Sequence, residues 1–201
     1  MTIGVLISGR GSNLQALIEA SRRGELGPGT IGVVFSNVED AAGLERARRA
    51  GIPVAFRDHR GRSREAFDAE VVGMLHAHGV ELVCLAGYMR LLSPAFVGGF
   101  PGRILNVHPA LLPAFPGLHA QRQALEHGVK VSGATVHLVD EHLDQGPIVA
   151  QEAVSVLEDD SEETLSARIL EAEHRIYARA VRAMLEGRVS VSGRRVIVEG
   201  E

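Results

Sequence analysis

The chain has 201 residues, of which 45% are hydrophobic and 23% charged, with a formal net charge of -4. That length buries a full core without staples, and the composition excludes a disordered chain, a fibrous repeat and a disulfide miniprotein. Cys84 is the single cysteine, too few for a disulfide framework or a cysteine-based zinc cluster within one chain, and the acidic balance disfavours a broad duplex-binding surface. The first residues carry no basic leader, and no apolar run approaches the roughly 18 residues of a membrane span. The expectation is a cytoplasmic protein whose partners are small, anionic molecules, with neither nucleic acid nor membrane among them.

Residues 2–8 read as a nearly continuous apolar strand, and from Asn13 the spacing of Leu14, Leu17 and Ile18 turns helical. Gly9-Arg10-Gly11-Ser12-Asn13 lies at that strand-to-helix turn, where free backbone N–H groups and the helix dipole suit a phosphate. A dinucleotide fingerprint would need a third glycine where Leu14 stands, and an acid where Ser36 and Asn37 end the next strand. The nicotinamide reading therefore weakens, leaving a phosphate site or an unliganded turn. Residues 31–36, 41–50 and 53–56 repeat the strand–helix–strand rhythm, with Gly51 just past the helix. Ser63 caps a helix running to about residue 78, Gly79 ends it, and residues 82–85 form another parallel strand. A short helical stretch at 93–97 precedes a fifth strand at 104–108.

Pro109, Pro113 and Pro116 then impose an irregular loop in which one X-Pro bond can be cis. A short helix at 121–126 leads to two β runs, 130–139 and 148–156, which add strands to the sheet. Ser161 caps a long helix whose buried stripe is Leu165, Ile169, Ala172, Ile176 and Ala180, and a hairpin at 189–198 closes the chain. The fold class is α/β, a doubly wound and mostly parallel sheet with helices on both faces, in one domain over 1–201.

Alternation along the fifth strand sends Asn106 and His108 to one side, at the carboxyl end where open α/β sheets bind ligands. An amide beside an imidazole can hold an oxyanion and move a proton but offers no covalent nucleophile, so the implied chemistry is direct transfer. The alternative is that both merely satisfy backbone groups at the strand end. Asp144, beside the Gly146-Pro147 turn, can aim a carboxylate at His108, with Asp140 as its competitor. Such a carboxylate is expected to raise the histidine's pKa and keep it available as an acid. His76 and His78, two apart on a helix, face different directions and read as surface residues, while His137 simply alternates with Val136 and Leu138 on a strand. Glu173 lies at the edge of its helix's buried stripe, half-buried, and is either paired structurally or aimed at a ligand. Arg64 and Arg90 are solvated, structural, or a clamp on a ligand carboxylate.

Residues 7–14 (Ile-Ser-Gly-Arg-Gly-Ser-Asn-Leu), 85–90 (Leu-Ala-Gly-Tyr-Met-Arg) and 106–113 (Asn-Val-His-Pro-Ala-Leu-Leu-Pro) closely resemble the glycinamide ribonucleotide formyltransferase family. Residues 133–137 and 143–148 are similar to a signature shared by transferases that use formyltetrahydrofolate, and the resemblance spans nearly the whole chain. It implies 10-formyltetrahydrofolate as co-substrate, the glycine amine of 5-phosphoribosylglycinamide as acceptor, purine biosynthesis as the pathway, and no metal. It also implies that Asn106, His108 and Asp144 are catalytic, that Gly11, Ser12 and Asn13 meet the acceptor's phosphate, and that Glu173 meets the acceptor elsewhere. Arg64, Met89, Arg90, Leu91, Leu92 and Asn106 correspond to folate-binding positions, with Asp140 and the 140–144 loop closing on the pterin. On this basis 1–108 is a phosphate-binding half, 109–201 a folate-loop and closing half, and the assembly a monomer or homodimer.

Two positions depart from the family pattern: Ala110 stands where serine is expected, and Gln121 where a more basic residue is expected. Within the same chemistry, a methionyl-tRNA formyltransferase would need a basic RNA-binding region for which an acidic chain of this length has no room. The alternatives kept are a formyltetrahydrofolate hydrolase and a non-catalytic nucleotide-binding regulator, the latter with no use for Asn106, His108 and Asp144 together.

Overall fold

The computed structural model describes residues 1–200. The chain runs β1 (Thr2–Ile7), α1 (Ser12–Arg22), β2 (Thr30–Ser36), α2 (Ala42–Arg49), β3 (Val54–Phe56), α3 (Arg64–Ala77), β4 (Val80–Leu85), α4 (Pro94–Gly99) and β5 (Ile104–His108). It continues through α5 (Ala120–Glu126), β6 (Val131–Leu138), β7 (Ile148–Ser155), α6 (Glu162–Leu185), β8 (Val189–Ser192) and β9 (Arg195–Val198). Seven strands form one sheet in the order β3-β2-β1-β4-β5-β6-β7, parallel through β5 and antiparallel at β6 and β7. The expected terminal hairpin is present as the separate pair β8-β9.

Strand alternation sorts the apolar side chains into two layers. Ile3, Val5 and Ile7 of β1, with Leu82, Cys84 and Leu105, join the core formed with α1, α2 and α6. Leu6, Val33, Phe35, Val83, Leu85 and Ile104 point the other way, onto Phe67, Val71 and Leu75 of α3 and Phe96 of α4. Buried on both faces, these strands read as continuous apolar runs. Ser63 caps α3 by accepting the Ala66 N–H, and Ser161 and Thr164 form a reciprocal capping box on α6. The proline-rich loop holds a cis bond at Leu112–Pro113. Among the described residues, no helix is long and apolar enough to cross a membrane.

The topology positions the cleft. Strand order reverses between β1 and β4, so the loops after β1, β4 and β5 open at one edge of the sheet.

Candidate active site

The loop after β1 turns on Gly11, whose left-handed φ of 70° favours glycine and whose Cα packs against Gly43 at the start of α2. A Cβ there would lie 2.7 Å from the Gly43 Cα. The Gly43 N–H donates to the Gly9 carbonyl at 3.0 Å and Arg46 Nε to the Arg10 carbonyl at 2.9 Å, so α2 braces the loop from behind. Gly11 is itself buried and supplies the turn, while Ser12 and Asn13, opening α1, line a cleft of ≈ 1180 Å³. The same cleft reaches Asn106, His108, Asp144 and Glu173.

His108, 4% exposed, is held from two sides. Its Nε2 lies 2.8 Å from the Phe115 carbonyl, which only an N–H can satisfy, and its Nδ1 lies 3.5 Å from Asp144 Oδ2. Asp144 Oδ2 also accepts the Gly117 N–H at 2.8 Å, and Oδ1 lies 3.6 Å from His137 Nε2. Asp144 adopts φ 52°, a left-handed conformation that aspartate tolerates better than most residues. Asp140 turns away and accepts the His142 N–H within its own loop at 2.8 Å, which separates the two acids that sequence left in competition.

His137 is the site residue that sequence analysis missed. The antiparallel register of β5 and β6 sets it opposite Asn106, whose Nδ2 donates to His137 Nε2 at 3.2 Å. The other ring nitrogen donates to the Leu138 carbonyl at 2.9 Å, which fixes the ring. His137 ends the 133–137 signature, but only the strand pairing shows that it faces Asn106. His76 and His78 are exposed, as expected.

The electrostatics correct one expectation. Burial pushes the His108 pKa down more than Asp144 and the Phe115 carbonyl push it up, so it lies below the ordinary histidine value. Burial also works to raise Asp144, but His137, the Gly117 N–H and His108 outweigh it and hold the carboxyl below its usual range. Glu173 is more buried than expected, 6% exposed; burial raises it to about 7, partly offset by Asn13, whose Nδ2 donates to it at 2.9 Å.

A second cavity of ≈ 170 Å³ adjoins Asn106, lined by Leu85, Leu92 and Val139 and by the 140–144 loop. Arg64 and Arg90 also border it; Arg64 Nε lies 3.5 Å from Glu65, and the Arg90 guanidinium stacks 4.8 Å above Phe67. Met89 and Leu91 are 67% and 55% exposed at the rim of the larger cleft. Among the described residues, no group of three or more His, Cys, Asp or Glu side chains is placed to hold a metal ion.

The formyl transferase family profile matches residues 1–181. The phosphoribosylglycinamide formyltransferase of Escherichia coli (strain K12) is 46% identical over 207 residues, covering 100% of this chain and 95% of that protein. The trifunctional purine biosynthetic protein adenosine-3 of Drosophila melanogaster is 50% identical over 192 residues, 94% of this chain, which spans 14% of that much longer protein. Among solved structures, glycinamide ribonucleotide transformylase 1 from Symbiobacterium toebii superposes with TM-score 0.96 at 57% identity, covering 98% of this chain and 93% of that one. A formyltetrahydrofolate deformylase from Pseudomonas syringae pv. tomato superposes with TM-score 0.91 at 31% identity, covering 98% of this chain and 65% of that one.

Proposed function

We propose that this chain, which belongs to the formyl transferase family, moves the formyl group of 10-formyltetrahydrofolate onto the glycine amine of 5-phosphoribosylglycinamide in purine biosynthesis. The observation that carries the reading is that Asn106, His108 and Asp144 meet at one wall of a cleft whose far end is the start of α1. The neighbours of His108 are a carbonyl and a carboxylate, not a hydroxyl or thiol, which favours direct attack over a covalent enzyme intermediate.

In this reading the acceptor's phosphate lies against the first-turn N–H groups at Ser12 and Asn13, behind which Gly11 makes the turn, and Glu173 with Asn13 faces its sugar hydroxyls. The donor's flat heterocycle suits the smaller cavity, whose sides at Leu85, Leu92 and Val139 are apolar and whose mouth at Asp140 and the following backbone is polar. Met89 and Leu91 extend the apolar wall, and Arg64 and Arg90 offer charge to the donor's carboxylates.

The amine attacks the formyl carbon, a C–N bond forms, and the carbonyl oxygen takes negative charge. Asn106 Nδ2 has one N–H left after His137, and His108 Nε2–H can exchange the Phe115 carbonyl for the new oxyanion. The bond to the folate nitrogen then breaks; one proton leaves the amine and one arrives on that nitrogen. With its proton on Nε2, His108 can take a further proton only at Nδ1, beside Asp144, whose carboxylate, ionised at neutral pH, stabilises the imidazolium so formed until the proton passes on to the folate nitrogen. The test is formate and formyl-product release measured with and without 5-phosphoribosylglycinamide. Transfer that requires the acceptor supports the reading; equal formate release without it identifies a hydrolase instead.

A further inference from the structure

Behind the residues that face the cleft, a hydrogen-bonded relay runs from the end of β1 to the backbone of the cleft wall. Ser8 follows β1; its N–H donates to the Gly87 carbonyl at 3.0 Å, and its Oγ accepts the Met89 N–H at 2.8 Å. One residue therefore holds both sides of the turn at Gly87, where φ is 76°. A hydroxyl has one proton, and with Met89 as donor that proton goes to Asn37 Oδ1, 2.6 Å away. The bond orients the Asn37 amide, which is 6% exposed, and leaves its Nδ2 3.3 Å from His59 Nδ1. The same His59 nitrogen also lies 3.2 Å from the Asn37 carbonyl, so it either accepts from the amide or donates to the carbonyl, and in either case it meets Asn37.

Among the described residues, Tyr88 Oη and Arg90 Nε lack hydrogen-bond partners, and Arg90 is held through its stacking on Phe67. We propose that Ser8 and Asn37 are positioning residues that set the Met89–Arg90 backbone against the formyl donor. This rests on the reading that Met89 through Leu92 wall the donor's place. It also accounts for Asn37 standing where a dinucleotide-binding fold carries a ribose-reading acid: its amide is committed to the relay.

Calorimetric titration with 10-formyltetrahydrofolate and, separately, with 5-phosphoribosylglycinamide tests this in the wild type, Ser8→Ala, Ser8→Thr, Asn37→Leu and Asn37→Asp, with Tm recorded for each. Loss of the Ser8 hydroxyl leaves the Met89 N–H without its acceptor. The expected result for Ser8→Ala is a rise of about tenfold in the donor's Kd, about 1.4 kcal/mol, with the acceptor's Kd changed by less than about twofold. Asn37→Leu behaves similarly, whereas Ser8→Thr and Asn37→Asp, which keep the hydroxyl and the accepting oxygen, retain most donor affinity. Unchanged donor binding in Ser8→Ala overturns the inference. So does parallel loss of both affinities and of Tm without rescue by threonine, which marks a purely structural role. Failure of the wild type to bind the donor at all removes instead the functional reading on which the inference rests.

Discussion

His108 sits between two opposing influences, and their balance sets how the site works. Asp144 at 3.5 Å favours a charged ring, yet the ring is 4% exposed and the cost of burying its charge dominates, so the pKa falls below 6.5. A histidine resonance titration is expected to place the His108 midpoint below 6.5; a midpoint above that value contradicts the balance. Sequence pattern brought out the carboxylate but not the burial, which is a property of the closed loop at residues 115–117. Glu173 shows the converse case: its pKa rises from 4.5 to about 7 through burial, so between those values the folded state binds more protons than the unfolded state. Its contribution is full below about pH 4.5 and is lost as pH rises through about 7, with a slope of at most about 1.4 kcal/mol per pH unit. Glu173→Gln, which keeps an oxygen for Asn13, should gain stability relative to the wild type from pH 5 to pH 8 in urea denaturation. An unchanged difference across that range contradicts the shift. Asn106 and His108 were legible because strand alternation is local; His137 was not, because its place opposite Asn106 depends on pairing with a strand about 30 residues away.

At the scale of elements, the loop from β6 to β7 carries Asp144, and one glycine permits its path. A Cβ on Gly146 would collide with the Leu138 carbonyl oxygen, which is backbone and cannot swing aside. Gly146→Ala is expected to cost on the order of 3 kcal/mol and to depress kcat by displacing Asp144; denaturant midpoints and turnover together check this, and wild-type values for both contradict it. The Gly-Pro turn was legible and favoured Asp144, but Asp140 stayed a competitor because both acids suit a turn, and the folded loop shows Asp140 accepting the His142 N–H within that loop. The long helix α6, which brings Glu173 to the cleft, starts at the capping box of Ser161 and Thr164. Ser161→Ala should lower stability by about 1 kcal/mol with little effect on turnover. Its cap and buried stripe were visible in sequence because both are written within a single element.

For the whole molecule, the alternation of apolar strands and amphipathic helices was enough to read a doubly wound sheet, since central strands such as β1 and β4 bury both faces. The strand order and the antiparallel turn-back of β6 and β7 were not readable in that way, because they follow from long-range pairing. That turn-back nevertheless builds the site: it lays β6 beside β5 and returns Asp144 to His108 across 36 residues of chain. The central claim is that these side chains lower the barrier to formyl transfer and do not merely hold the ligands. Single-turnover transfer in His108→Ala and Asp144→Asn, measured alongside the Kd of each substrate, tests it most directly. The expected result is a rate lower by about 100-fold or more in each variant, with both dissociation constants within about threefold of wild type. A wild-type transfer rate in either variant would contradict the account.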